Sequence, residues 1–184
     1  MQGAVHPGDR VLVQGTGGVA LFALAFAKMH GAHVTVISSS DDKLDRVREM
    51  GADAVINYQE IPDWARASRE ITAERGGYDL IVELGGAKTL PLSLRAVRPG
   101  GTIAMIGVLS GLQLEASLGP IVARQVRLQG VTVGHRDGFE AMLAAMAQHQ
   151  IHPVLGETFD FADLRTALEH LRSAKGMGKT LIRF

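Results

Sequence analysis

The stretch Arg10-Val11-Leu12-Val13-Gln14-Gly15-Thr16-Gly17-Gly18-Val19-Ala20 decides how this chain reads. Val11 to Val13 form a short apolar run ahead of a glycine cluster, the pattern of a buried strand that ends in a tight turn. The next six residues fit the spacing G-x-G-x-x-G/A, and Gly18 to His30 has helical periodicity. Gly15 permits the turn, Gly17 lets the backbone approach a pyrophosphate, and Ala20 is small enough for helix to pack on strand. Gly18 and Val19 open the helix, whose free N–H groups and positive dipole end face that phosphate. Two other readings exist: a glycine-rich turn with no ligand, and a site for a methyl donor such as S-adenosylmethionine. Methyl-donor domains usually end their second strand in an acidic residue, and none stands there.

Outward from this unit, β-branched runs alternate with helical segments, as parallel βαβ units require. Strands are expected at 10–14, 33–37, 54–57, 79–84, 102–107 and 126–133, and helices at 18–30, 41–50, 62–75 and 88–98. Right-handed crossovers then give a Rossmann-type doubly wound α/β sheet of order 3-2-1-4-5-6. After Gly134 the texture changes. A helix over 139–149, a strand over 155–161, a helix over 162–174 and a strand over 179–184 form a C-terminal α/β tail outside the series. The expected division is 1–134 for the dinucleotide-binding domain and 135–184 for the tail.

The second strand ends in Ser38-Ser39-Ser40, where NAD-preferring domains place a carboxylate that holds both ribose hydroxyls. Serine hydroxyls accept a 2′-phosphate that a carboxylate repels, and Lys43, one helical turn onward, supplies a cation. The pattern favours NADP over NAD, with Asp41 or Asp42 as the residues that would reverse the preference by reaching the ribose. Ser40 is also placed to cap the helix, with Asp41 and Asp42 complementing its dipole.

Composition narrows the classes. Nineteen basic residues balance nineteen acidic ones, which gives no reason to expect nucleic acid or an anionic membrane as partner. The chain has no cysteine, so disulfides, thiolate metal sites and cysteine nucleophiles are out. The first ten residues do not read as a secretory leader, and the longest apolar run, Val19 to Ala27, is too short to span a bilayer. A cytoplasmic location is expected.

The run His6-Pro7-Gly8-Asp9-Arg10 ahead of the glycine turn resembles the entry to the cofactor domain of the medium-chain dehydrogenases/reductases, which include zinc alcohol dehydrogenases and zinc-free quinone oxidoreductases. Gly51-Ala52-Asp53, Arg98-Pro99-Gly100-Gly101 and Gly178-Lys179-Thr180-Leu181-Ile182 are similar to that family in the same order. The resemblance implies NAD(P) across the C-terminal ends of the strands. Val19, Ile106, Gly107, Val131 and Val133 match the nicotinamide side, Leu84 and Gly85 flank the adenine, and Lys43 with Tyr58 face the adenosine phosphate. It further implies hydride transfer between NADP(H) and an alcohol, carbonyl or quinone. The family's N-terminal barrel, which carries substrate groups and any zinc, would precede Met1, so the chain reads as a fragment without nameable catalytic residues. A stand-alone nucleotide-binding or regulatory module is the alternative.

Other residues carry little. His149 and His152 lack a supporting carboxylate, so no metal site is expected and zinc is not expected in this chain. Ser110 and Ser117 show no local nucleophile signature. Glu83 suits a hydrogen-bonded network better than a cofactor contact, Arg136 suits a surface ion pair as well as a ligand, and Met142 with Met146 suits helix packing. The sixth strand, last in the order, would expose Leu128, Val131 and Val133 on an edge able to pair with a second copy in a homodimer. Shielding of that edge by the tail is the competing possibility.

Overall fold

A computed structural model describes residues 5–113 and 115–184; Met1–Ala4, part of the leader reading, lie outside it. Six parallel strands form one sheet: β1 (Arg10–Gln14), β2 (His33–Ser38), β3 (Ala54–Asn57), β4 (Tyr78–Glu83), β5 (Val97–Met105) and β6 (Arg127–Gly130). Their order is β3-β2-β1-β4-β5-β6, as the alternation of elements predicts.

Side-chain alternation along each strand makes two cores. Val11 and Val13 lie under α1 (Gly18–Met29) and α2 (Asp41–Glu49), packed with Ala20, Leu24, Leu44 and Val47. Leu12 and Ile81 lie on the opposite face with Trp64, Leu90 and Leu94 from α3 (Trp64–Ile71) and α4 (Leu90–Ala96). Ala20 is 1% exposed, so its small side chain does set how closely α1 meets the sheet. At the N-terminal ends of the strands, Asp79 accepts from the Arg10 amide at 2.7 Å and from Arg98 Nε at 2.6 Å.

Several boundaries move. The helix expected over 62–75 begins after Asp63, whose carboxylate accepts from the Arg66 amide, and ends at Ile71 before a 3₁₀ turn, Ala73–Arg75. The Thr72 hydroxyl bonds back to the Ser68 carbonyl, and Gly76 takes a left-handed φ of 68°. β5 starts five residues early because Val97 already pairs with Tyr78 before a register shift. A short helix, α5 (Gly119–Ala123), precedes β6 where the sequence read as loop. β6 itself is four residues long. Leu128 and Val131 are packed against the cores, and of the edge residues only Val133 is freely exposed.

The tail comprises α6 (Arg136–Gln148), β7 (Leu155–Asp160), α7 (Leu164–Arg172) and β8 (Lys179–Arg183). β7 and β8 pair in parallel as a separate two-stranded sheet. The tail meets the main sheet close to the fingerprint. Met177 is buried in the α1-side core, Gly178 bridges to Gly17, and the Gly178 amide donates to the Thr16 carbonyl at 3.3 Å.

Candidate functional site

A cleft of about 640 Å³ opens at the C-terminal ends of β1, β2 and β4, with the segment from His170 to Thr180 forming its far wall. The glycine turn is its floor. Gly15 holds a φ of 79°, a conformation that disfavours other residues. Gly17 is different: its φ is an ordinary −78°, and an added Cβ would meet no protein atom within 4 Å. The fold's own packing therefore does not demand glycine at Gly17, whereas close approach of a ligand does. Gly17 is also the N-cap of α1 and supplies no side chain to the helix's free amides. No acidic residue sits in the first turn of α1, so its positive end is uncompensated.

The cleft brings together Gly15, Gly17, Gly18, Ser38, Ser39, Lys43, Tyr58, Leu84 and Gly85, all named from sequence. Asp41 and Asp42 are not among its lining residues; Asp41 instead accepts from the Asn57 side chain at 2.9 Å. Ser40 occupies the N-cap position of α2, yet its side chain makes no capping bond. Lys43 reaches across the cleft and donates to the Ala174 carbonyl at 2.9 Å.

Val19, Ile106, Gly107, Val131 and Val133 do not line this cleft. Val19 is half exposed on the first turn of α1. The amides of Ile106 and Gly107 donate to the Glu83 carbonyl, and that of Val131 to the Met105 carbonyl, which places all three just past the C-terminal ends of β5 and β6. Gly107 has a structural reason to be glycine, because a Cβ there would collide with the Leu84 carbonyl.

Sequence reading missed two cations. Arg172, in the last turn of α7, lines the cleft, as Ser38, Ser39, Lys43 and Tyr58 do. Lys179 lies over Gly18, its Nζ 2.8 Å from where a Gly18 Cβ would stand. Both lie more than a hundred residues beyond the fingerprint, and the basic last turn of α7 was the one available signal.

Other features resolve as structural. Glu83 is fully buried and bonded on both oxygens. Arg136 pairs with Glu140 at 2.6 Å, and the Ser110 hydroxyl donates to the Gly85 carbonyl at 2.8 Å. A larger groove of about 1020 Å³ runs between α3, α4 and α5, away from the strand ends. Three of its four arginines are engaged: Arg66 with Glu70, Arg95 with Asp63, and Arg124 with the carbonyls of Leu94 and Val97. Burial and the neighbouring Arg69 together lower the Arg124 pKa.

Residues 18–148 match the family model described as zinc-binding dehydrogenase. The chain belongs to the zinc-binding dehydrogenase family. It is the cofactor-binding part of the medium-chain dehydrogenases/reductases that the sequence resembles. A zinc-type alcohol dehydrogenase-like protein of Schizosaccharomyces pombe is 40% identical over 97% of this chain and 53% of its own length. The crystal structure of a putative alcohol dehydrogenase from Sinorhizobium meliloti superposes with a TM-score of 0.91 at 43% identity, covering 98% of this chain and 52% of that one. An NAD-dependent alcohol dehydrogenase of known structure matches at 0.91 and 30% identity, with the same coverage. The chain thus spans about half the length of these relatives. Among the described residues no group of three or more His, Asp or Glu could hold a metal ion. No described helix is long and apolar enough to cross a membrane.

Proposed function

We propose that this chain is the NADP(H)-binding half of an oxidoreductase acting on an alcohol, carbonyl or quinone. The observation that carries the reading is the open cradle at Gly17 beneath the uncapped N-terminus of α1. When bound, NADP(H) supplies the hydride chemistry at its nicotinamide ring. The chain's own residues bind and orient. The first amides of α1 receive the pyrophosphate. Ser38, Ser39, Lys43, Tyr58 and Arg172 surround the 2′-phosphate, while Leu84 and Gly85 flank the adenine. Val19, Ile106, Gly107, Val131 and Val133, beyond this cleft, are assigned to the nicotinamide side.

Residues 1–134 are the cofactor domain in this reading, and 135–184 the segment that joins it to a substrate domain. One solved relative is NAD-dependent, so the choice of cofactor falls to this chain's own residues. The cleft offers a 2′-phosphate two cations and no carboxylate. We further propose a homodimer formed through the outer edge of β6, which among the described residues pairs only with β5 on its inner side.

Fluorescence titration with NADPH, NADH and S-adenosylmethionine tests the cofactor. NADPH should bind about ten- to a hundredfold more tightly than NADH, the worth of a charge-assisted contact to the phosphate, and S-adenosylmethionine should not compete. Tighter binding of NADH would overturn the NADP reading, and binding of S-adenosylmethionine alone would overturn the oxidoreductase reading. For assembly, Thr132→Pro removes a backbone donor beside β6 and should shift light scattering from dimeric to monomeric mass. A wild-type monomer at tens of micromolar would retire the edge-pairing model.

A further inference from the structure

Glu83 closes β4 and is completely shielded from solvent, yet five donors converge on its two carboxylate oxygens. Oε1 accepts from the amides of Gly85 and Gly86, each at 3.0 Å, and from the Thr89 hydroxyl. Oε2 accepts from Gln14 Nε2 at 2.6 Å and from the Ser93 hydroxyl. Gln14 in turn offers its Oε1 to the amides of Leu84 and Gly85, at 3.0 and 3.2 Å. All three amides of the Leu84–Gly86 turn therefore bond to Glu83 or Gln14. The successive Gly85 and Gly86 amides form a small anion-binding concavity, and the chain's own carboxylate fills it. On its other side, the Gly85 carbonyl accepts both the amide and the hydroxyl of Ser110, which ties the loop after β5 to the same turn.

Four residues of this network, Gln14, Leu84, Gly85 and Thr89, also line the cleft. We propose that Glu83 is a positioning residue for dinucleotide binding. Acting through Gln14 and the Leu84–Gly86 turn, it fixes the cleft wall against which the adenosine part packs. This rests on the reading that the cleft takes NADP(H).

The network has room only for an acceptor at Glu83. In Glu83→Gln, the amide oxygen can face Gly85 and Gly86, but the new NH₂ then meets the NH₂ of Gln14. Flipping Gln14 relieves that clash and turns its NH₂ toward the Leu84 and Gly85 amides, a second donor–donor conflict. No orientation satisfies every group, so the turn must shift.

The test compares affinity with stability in the whole chain. Dissociation constants for NADPH and for 2′,5′-ADP are measured well below the melting temperature of each variant. The control is Asp79→Asn, which loses a buried carboxylate at the other end of the same strand, remote from the cleft. Glu83→Gln should weaken both ligands about tenfold or more, whereas Asp79→Asn should lose stability and keep affinity within about twofold. Should Glu83→Gln fail to fold, Ser93→Ala carries the test. It removes one donor from Oε2 outside the cleft lining and should weaken both ligands about threefold. The proposal is overturned if Glu83→Gln, or Ser93→Ala in its place, binds both ligands as wild type does. A wild-type chain that binds neither NADPH nor NADH would instead overturn the reading of the cleft itself.

Discussion

The units β1–α1–β2 and β7–α7–β8 are both strand–helix–strand with parallel strands, and their interiors are opposite. In the first, β1 and β2 are buried nearly throughout, because helices cover both faces of the sheet. In the second, α7 is strongly amphipathic, yet Leu164, Leu168 and Leu171 along one side are 37%, 51% and 62% exposed. Phe161 stacks on Phe184 at 5.1 Å, and both remain open to solvent. Local pattern makes a helix and two strands in either case. A second covering layer is what turns the pattern into a core, and among the described residues only the six-stranded sheet has one. The tail's anchorage to the sheet is concentrated around the cleft, through Met177, Gly178 and the bond from Lys43 to Ala174.

Core truncation should separate the two units most sharply. Ile81→Ala, in a fully buried position of β4, should cost about 3 kcal/mol and lower Tm by about 6–12 °C. Leu168→Ala in α7 should change stability by no more than about 0.5 kcal/mol. Thermal melts of both variants check the contrast, and equal losses would mean that the tail covers its own apolar side.

Titration should also expose the sheet's interior. Burial pushes the Tyr78 phenol up from 10.0 to about 12, although Thr35, Ser68 and Arg10 pull the other way. Its contribution is complete below pH 10 and is lost as pH rises toward 12, on the order of 2–3 kcal/mol. Tyr78→Phe should flatten that alkaline limb of the stability curve. Asp79 has the opposite sign. Burial raises its pKa, but the Arg10 amide and the Arg98 guanidinium outweigh burial and hold it below 3.8. Its stabilisation is present above pH 3.8 and fades as pH falls through the lowered native value, so Asp79→Asn should remove part of the acid limb.

Cofactor choice extends the comparison, since sheet and tail each lend a residue, Ser38 and Arg172, to the cleft. Ser38→Asp in the sheet should reverse the preference toward NADH, a change of about 1.5–3 kcal/mol. Arg172→Ala in the tail should weaken NADPH by about 1 kcal/mol and leave NADH unchanged, because Arg172 is one of two cations there. Paired titrations decide this, and an equal loss for both cofactors would deny Arg172 any contact with the phosphate.

The fingerprint was legible because its strand, its turn and the head of its helix lie within eleven consecutive residues, Arg10 to Ala20. Strand order followed from alternation and handedness together with the dinucleotide fingerprint, which goes with the doubly wound order 3-2-1-4-5-6. Helix ends were less legible, since they depend on side chains such as the Asp63 cap and the Thr72 bond to Ser68. α5 was missed because five residues are too few to show a period. The site's deeper parts were legible only in part: Glu83 reads as a network residue, but the Gln14–Glu83 bond joins residues 69 apart, and Arg172 reaches the cleft only through the folded tail.

Amide hydrogen exchange with and without NADPH tests the central claim most directly. The amides of Gly18, Val19 and Ala20, left without a side-chain cap at the head of α1, should gain protection on binding. Those of α6, outside the cleft, should not change. Unchanged exchange at the head of α1 with NADPH bound, or new protection centred on α6, would contradict the assignment of the cleft.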